Sequence, residues 1–99
     1  MSEKSLMIVN AVLNTDQQEA FRYYSENAAP LFKAAGATPV AKYKVTKTMV
    51  GTKRLQIVAI MEFPNEQAIT HVFESEAYKA LLPYRDKAFM DLAVFIGNP

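Results

Sequence analysis

"RLQIVAIMEFPNEQAITHVF", residues 54–73, changes its hydrophobic period halfway along. In its first ten residues Leu55, Ile57, Ala59, Met61 and Phe63 share one alternating face, while Val58 and Ile60 occupy the other. A strand that is apolar on both faces is covered on two sides. Pro64 and Asn65 then end the strand and open a helix, with Asn65 as N-cap and Ala68, Ile69, Val72 and Phe73 as its buried stripe.

Working back from this stretch, "PVAKYKVTKTMV", residues 39–50, alternates as a strand, and Gly51 to Lys53 form the turn of a hairpin. Before it, Ala20, Tyr24, Ala28, Leu31 and Ala35 recur at three- and four-residue steps beside Phe21 and Phe32, which predicts a helix interrupted by Pro30. Thr15 and Gln18 fit a capping box at its start, and Gly36 is a natural stop. "SLMIVNAVL", residues 5–13, is a further strand apolar on both faces. The N-terminal run is too short and too polar for a signal peptide and reads as part of this strand.

Working forward, Ser75 caps a helical stretch from Glu76 to about Met90 that carries Pro83 near its middle. Pro83 fits the first turn of a second segment, where a missing N–H costs little. "DLAVFIGNP" closes the chain as a strand that Gly97 and Pro99 terminate.

The order is β-α-β-β-α-β, an α+β, ferredoxin-like split βαβ plan: one domain over residues 1–99, with a four-stranded antiparallel sheet and helices on one face. The other face has no helical cover, yet each of its Val and Ile side chains would contribute about 1.5–3 kcal/mol on burial. A second copy is the simplest cover. A homodimer through the open sheet face, forming a dimeric α+β barrel, is therefore the expected assembly.

Composition removes several functions. Eleven basic and ten acidic residues give a net charge of +1, too little field to gather nucleic acid or an anionic membrane. Lys42, Lys44, Lys47, Lys53 and Arg54 cluster on the hairpin and read as solvated edge positions. With no cysteine there is no disulfide framework, thiolate nucleophile or thiolate-bound metal. No run approaches the ~20 apolar residues of a membrane span, so a soluble cytoplasmic protein is expected.

"MEFPNEQAITHVFESEAYKALLPYRDKAF" followed by "DLAVFIG" resembles the signature of the DUF1330 family, a family of unknown function. The matching positions are Glu62-Phe63-Pro64 at a strand end, Ser75 and Tyr78 spaced as Ser-x-x-Tyr, Arg85 seven residues on, and a last strand closing at Gly97. "AFRYYSENAAPLFKAAGA" resembles the family's Tyr-rich first helix. The resemblance spans nearly the whole chain and implies a ferredoxin-like dimeric barrel but no reaction. Two departures are Gly36-Ala37 where the family shows Gly-Gly, and Phe73 where it often has Trp.

The residues left to carry function are few. Arg85, Tyr78 and Leu82 fall on one face of a continuous helix, toward the sheet. A guanidinium there either pairs internally, with Glu62 as preferred partner, or forks a ligand carboxylate or phosphate in a cleft. Tyr78 either satisfies itself on backbone or orients a ligand oxygen. Ser75 is an N-cap with no base near it in sequence. Asn10 interrupts an apolar strand, so it either ties down backbone or projects into a cavity. His71 and Glu74 do not make a metal site, and no cofactor motif is present.

Two functions remain open. One is a small-molecule-binding protein or cofactor-independent enzyme acting on a small anionic or aromatic ligand, with Arg85, Tyr78, Asn10, Glu62 and Ser75 around the cleft. The other is a non-catalytic homodimeric structural or ligand-sensing domain in which Arg85 and Glu62 pair.

Overall fold

The computed structural model describes residues 4–99. The chain runs β1 (Ser5–Leu13), α1 (Gln18–Ala34), β2 (Thr38–Lys44), β3 (Ile57–Phe63), α2 (Glu66–Glu74), α3 (Glu76–Lys79), α4 (Leu82–Ala88) and β4 (Phe89–Gly97). Its strands form one antiparallel sheet in the order β2-β3-β1-β4. Each β-α-β connection skips one strand, which is the split βαβ arrangement expected from the element order.

The strand register assigns the two faces. Met7 pairs with Met61 and Ile96, and Val9 with Ala59 and Val94. These belong to the helix-covered face, where Met7 and Phe63 join Ala28 and Phe32 of α1, Ile69 and Val72 of α2, Tyr78 of α3, and Leu81 in one buried cluster. The opposite parity, with Ile8 facing Ile60 and Phe95, and Asn10 facing Val58 and Ala93, lies on the open face. Ala41 and Tyr43 of β2 extend that face.

The first strand occupies the predicted residues, apart from residues 1–3 of the N-terminal run, which lie outside those described. The start of α1 differs from expectation. Asn14, not Thr15, supplies the side-chain cap, and it caps a 3₁₀ turn over Thr15–Gln17 by accepting from the Asp16 amide at 3.1 Å; the α-helix begins only at Gln18, with no side-chain cap of its own. At its other end Gly36 sits at φ +94°, and the Ala37 and Gly36 amides donate to Phe32 and Lys33 carbonyls at 3.1 and 3.0 Å, a Schellman stop.

The hairpin also differs. β2 ends at Lys44 and β3 begins at Ile57, leaving residues 45–56 as a loop. Alternation persists in that sequence, but nothing packs against it: Met49 and Val50 at its tip are 80% and 94% exposed. Its order comes from a Val45 amide to Gln56 carbonyl bond of 2.8 Å, a Thr48 hydroxyl to Lys53 carbonyl bond of 2.8 Å, and Gly51 at positive φ.

Candidate functional site

Two helix interruptions build the site. Ser75 has extended backbone, so α2 stops there, and its hydroxyl donates to the Val72 carbonyl at 2.6 Å while accepting from the Tyr78 amide at 3.2 Å. Ser75 is thereby fully occupied as a cap, and it fixes Tyr78 in the first turn of α3. Pro83 lies in the first turn of α4, where it removes no helical hydrogen bond, and the amides of Tyr84 and Arg85 both donate to the Leu81 carbonyl. The stretch from 66 to 88 is thus three short helices, broken at Ser75 and again just before Pro83, as the sequence predicts.

Tyr78 points into the core, 1% exposed, with Phe73, Phe32 and Tyr24 rings at 4.8, 6.1 and 6.1 Å. Its hydroxyl meets the Tyr24 hydroxyl of α1 at 2.8 Å and accepts from Arg85 Nη1 at 3.4 Å. A guanidinium only donates, so the buried Tyr78 proton has Tyr24 Oη as its acceptor. The chain therefore runs Arg85 to Tyr78 to Tyr24.

Burial pushes the Tyr24 phenol far above the ordinary tyrosine value. At Arg85 burial draws the pKa down, but the Tyr78 hydrogen bond and the neighbouring Asp86 outweigh it, and the guanidinium holds its proton more firmly than usual.

Arg85 is not sealed in. Its side chain is 30% exposed, and its nearest carboxylate is Asp86 at 3.6 Å, itself mostly in solvent. It opens on a cleft of about 400 Å³ between α4 and β4, lined by Phe73, Phe89, Met90, Leu92 and Val94 together with two carboxylates, Asp86 and Asp91. This is a cationic fork in a mixed cleft, where phenyl and aliphatic side chains stand beside Asp86 and Asp91, and a ligand oxyanion would have to be held at Arg85 itself. Larger hollows, of about 440 Å³ beside Phe21 and Arg22 and about 540 Å³ beside Lys42 and Tyr43, include neither Arg85 nor Tyr78.

The expected Glu62–Arg85 pair does not form. Glu62 faces Leu6 across the β1–β3 ladder on the open face, where it meets Lys4 at 3.3 Å, whereas Arg85 belongs to the helix layer on the other side of the sheet. Strand parity is the reason: Phe63 is in the core, so Glu62 must point away from it. Asn10 shares that open face and does not reach the Arg85 cleft. The structure thus brings Arg85 and Tyr78 together, with Ser75 as their support, and places Asn10 and Glu62 elsewhere.

Tyr24 is the member that sequence reasoning assigned to the core stripe alone. Its signal was legible, because a phenol placed among Ala, Leu and Phe needs a partner. Among the described residues no group of three or more metal-ligating side chains occurs, and no helix is long and apolar enough to cross a membrane.

The family model described as Domain of unknown function (DUF1330) matches residues 4–98. No curated protein matches the chain. Among solved structures, a Rhodopseudomonas palustris protein of unknown function superposes with a TM-score of 0.84 at 19% identity, over 100% of this chain and 84% of that one. A dimeric, ferredoxin-like protein of unknown function from Bacteroides fragilis matches with a TM-score of 0.64 at 12% identity, over 97% and 96% of the two chains. SnoaB, a cofactor-independent oxygenase from Streptomyces nogalater, matches with a TM-score of 0.67 at 10% identity, over 99% and 94%. At these identities the likeness is one of fold.

Proposed function

The chain belongs to the DUF1330 family, and we propose that it binds a small, partly apolar anion, with an aromatic carboxylate as the best-fitting class, in the cleft between α4 and β4. The observation that carries this is the state of Arg85: braced from behind by Tyr78 at 3.4 Å, faced by no closer carboxylate than the exposed Asp86 at 3.6 Å, and open to a cleft in which Phe73, Phe89, Leu92 and Val94 stand beside Asp86 and Asp91. A guanidinium whose second terminal nitrogen meets only a solvent-exposed carboxylate at 3.6 Å can exchange that partner for the carboxylate of a ligand whose body rests on the phenyl and aliphatic side chains.

A thermal-shift series tests it. Benzoate and longer aromatic carboxylates are expected to raise the melting temperature, because a ligand that binds only the native state stabilises it by mass action. Benzyl alcohol, which keeps the ring and loses the charge, is expected to have little effect, and Arg85→Ala is expected to abolish the benzoate shift. Benzoate binding that is unchanged in Arg85→Ala overturns the reading.

A second reading, cofactor-independent catalysis in the same cleft, is favoured by the hydrogen-bond chain itself. Tyr78 links Arg85 to Tyr24, which supplies a path for sharing a proton away from the ligand, and SnoaB shows that a protein of this fold is described as a cofactor-independent oxygenase. The purely structural reading loses its central ion pair, since Glu62 is engaged by Lys4.

We infer also that the chain acts as one domain and that a second copy covers the open face. Leu6, Ile8, Val12, Val58 and Ile60 are partly exposed there, and Tyr43 and Phe95 more so. Asn10 and Glu62 then belong to the seam between copies. Light scattering at micromolar concentration tests this, and a monomer refutes it.

A further inference from the structure

The Arg85 cleft carries more negative than positive charge. Asp86 and Asp91 line it with Arg85, beside Phe73, Phe89, Leu92 and Val94. Among the described residues each of these carboxylates has one ionic partner. Asp91 is engaged from the hairpin loop by Lys53 at 3.6 Å. Asp86 has only Arg85, whose Nη2 lies 3.6 Å from its Oδ1.

A carboxylate that enters at Arg85 therefore takes the one partner of Asp86. The Asp86 side chain is 71% exposed, so releasing it costs little. Its charge nevertheless stays on the residue next to Arg85, inside the screening length of about 8 Å, and faces a ligand of its own sign. A simple anion is opposed by the very group it displaces. A ligand that brings a cation close to its carboxylate removes that opposition. The carboxylate takes Arg85, the cation takes Asp86, and one ion pair is exchanged for two with no change in the charge of the cleft.

We propose that the cleft selects a zwitterion, a free α-amino acid with an aromatic side chain. This rests on the reading that Arg85 holds a ligand carboxylate, and it adds what the ligand carries beside that carboxylate. In an α-amino acid the ammonium sits one carbon from the carboxylate, so both charges can meet the adjoining Arg85–Asp86 pair from one side. Tyr78 holds the other guanidinium nitrogen, Nη1, at 3.4 Å, which leaves Nη2 as the one that changes partner. An ammonium is a compact charge with three donors, and the released Asp86 carboxylate is an acceptor with none. The ring then rests on Phe73 and Phe89, where edge-to-face and offset contacts between rings are favourable, with Leu92 and Val94 bordering them. A cleft of about 400 Å³ is at the small end for ligands and suits a molecule of one ring.

Calorimetric titration with three ligands that share one ring separates the charges: phenylalanine, hydrocinnamate, which lacks the ammonium, and phenethylamine, which lacks the carboxylate. Phenylalanine is expected to bind about tenfold more tightly than hydrocinnamate, the size of one charge-assisted hydrogen bond at a partly exposed site, and phenethylamine most weakly of the three. Asp86→Asn keeps the shape of an exposed side chain and removes its charge. In that variant the advantage of phenylalanine is expected to vanish, with hydrocinnamate bound at least as well as by the wild type. Hydrocinnamate that binds as tightly as phenylalanine, and is lost in Arg85→Ala, overturns the zwitterion and leaves the carboxylate reading standing. An advantage of phenylalanine that survives in Asp86→Asn overturns the role of Asp86. Phenethylamine binding as tightly as phenylalanine, or no binding of either carboxylate, overturns both readings.

Discussion

Tyr24→Phe is expected to destabilise the protein more than Tyr78→Phe, although Tyr78 is the more deeply buried of the two. Removing the Tyr24 hydroxyl leaves the Tyr78 proton without an acceptor at a position 1% exposed, because its other neighbour, Arg85 Nη1 at 3.4 Å, only donates. A buried donor left unpaired costs about 1–3 kcal/mol, so about 2 kcal/mol is expected. Removing the Tyr78 hydroxyl instead leaves Tyr24 and Arg85, both partly exposed, to water, at about 1 kcal/mol. The double variant removes donor and acceptor together and is expected to cost about 1 kcal/mol, less than the singles combined. Urea unfolding of the four proteins measures the cycle, and at about 4–8 °C per kcal/mol thermal melts resolve it as well. Tyr24→Phe costing no more than Tyr78→Phe would refute the assigned direction of the hydrogen-bond chain, and additivity within about 0.5 kcal/mol would refute the coupling between the two hydroxyls.

The same phenol gives a pH test. Its folded pKa is raised, so the unfolded chain releases the Tyr24 proton first as pH climbs past about 10, and stability falls there. The difference in stability between wild type and Tyr24→Phe is expected to hold steady below that pH and to shrink above it by up to about 1.4 kcal/mol per unit; a flat difference to pH 11 contradicts the burial of Tyr24. Arg85→Ala is expected to lower the melting temperature by only a few degrees, because a long, partly exposed hydrogen bond contributes less than about 1 kcal/mol. Gly36→Ala is expected to cost about 2–4 kcal/mol in chemical unfolding, since φ is +94° and the new Cβ would lie 2.9 Å from Pro64 Cγ. Adding Pro64→Ala is expected to recover the steric part. Ser75→Ala is expected to cost about 1 kcal/mol, because the Tyr78 amide loses its acceptor while the Val72 carbonyl keeps the residue-75 amide, read by the same unfolding curves.

The fold was legible where burial enforces the pattern. Residues 5–13 are apolar on both faces because the sheet is helix-covered on one side and apolar on the other, and the strand sits where that alternation lies. The hairpin was overread for the complementary reason. Alternation at Thr46–Val50 has nothing to pack on, so periodicity without a covering layer gave strand where the chain makes a loop. Glu62 was misplaced despite a sufficient signal: Ile57, Ala59, Met61 and Phe63 were already assigned to one face, and two-residue alternation sends position 62 to the other. The Arg85–Tyr78 pair was legible from the seven-residue spacing, and Tyr24's need of a partner from its apolar stripe, but the identity of that partner was not. It comes from another helix 54 positions away, and no local period connects the two.

The interruptions at Ser75 and Pro83 give the cleft its geometry. On one straight helix, positions 78 and 85 would be separated by about 10 Å of rise. Their side chains would also lie along the same line, so Tyr78 could not be sunk in the core while Arg85 reached solvent. Breaking the helix at Ser75 turns Tyr78 inward among Phe32, Phe73 and Tyr24, and restarting it at Leu82 brings Arg85 back over the phenol with its other terminal nitrogen turned toward Asp86 and the cleft. The Arg85 Cζ atom lies 5.8 Å from the Tyr78 ring centroid, so the ring face as well as the hydroxyl braces the cation. An Arg85→Lys variant keeps the charge but loses the planar fork, and it is the sharper probe of the site than Ala. If the cleft reads a carboxylate bidentately, benzoate binding should fall at least tenfold in Arg85→Lys with the melting temperature nearly unchanged. Equal binding by the lysine variant would mean that the site uses the charge alone.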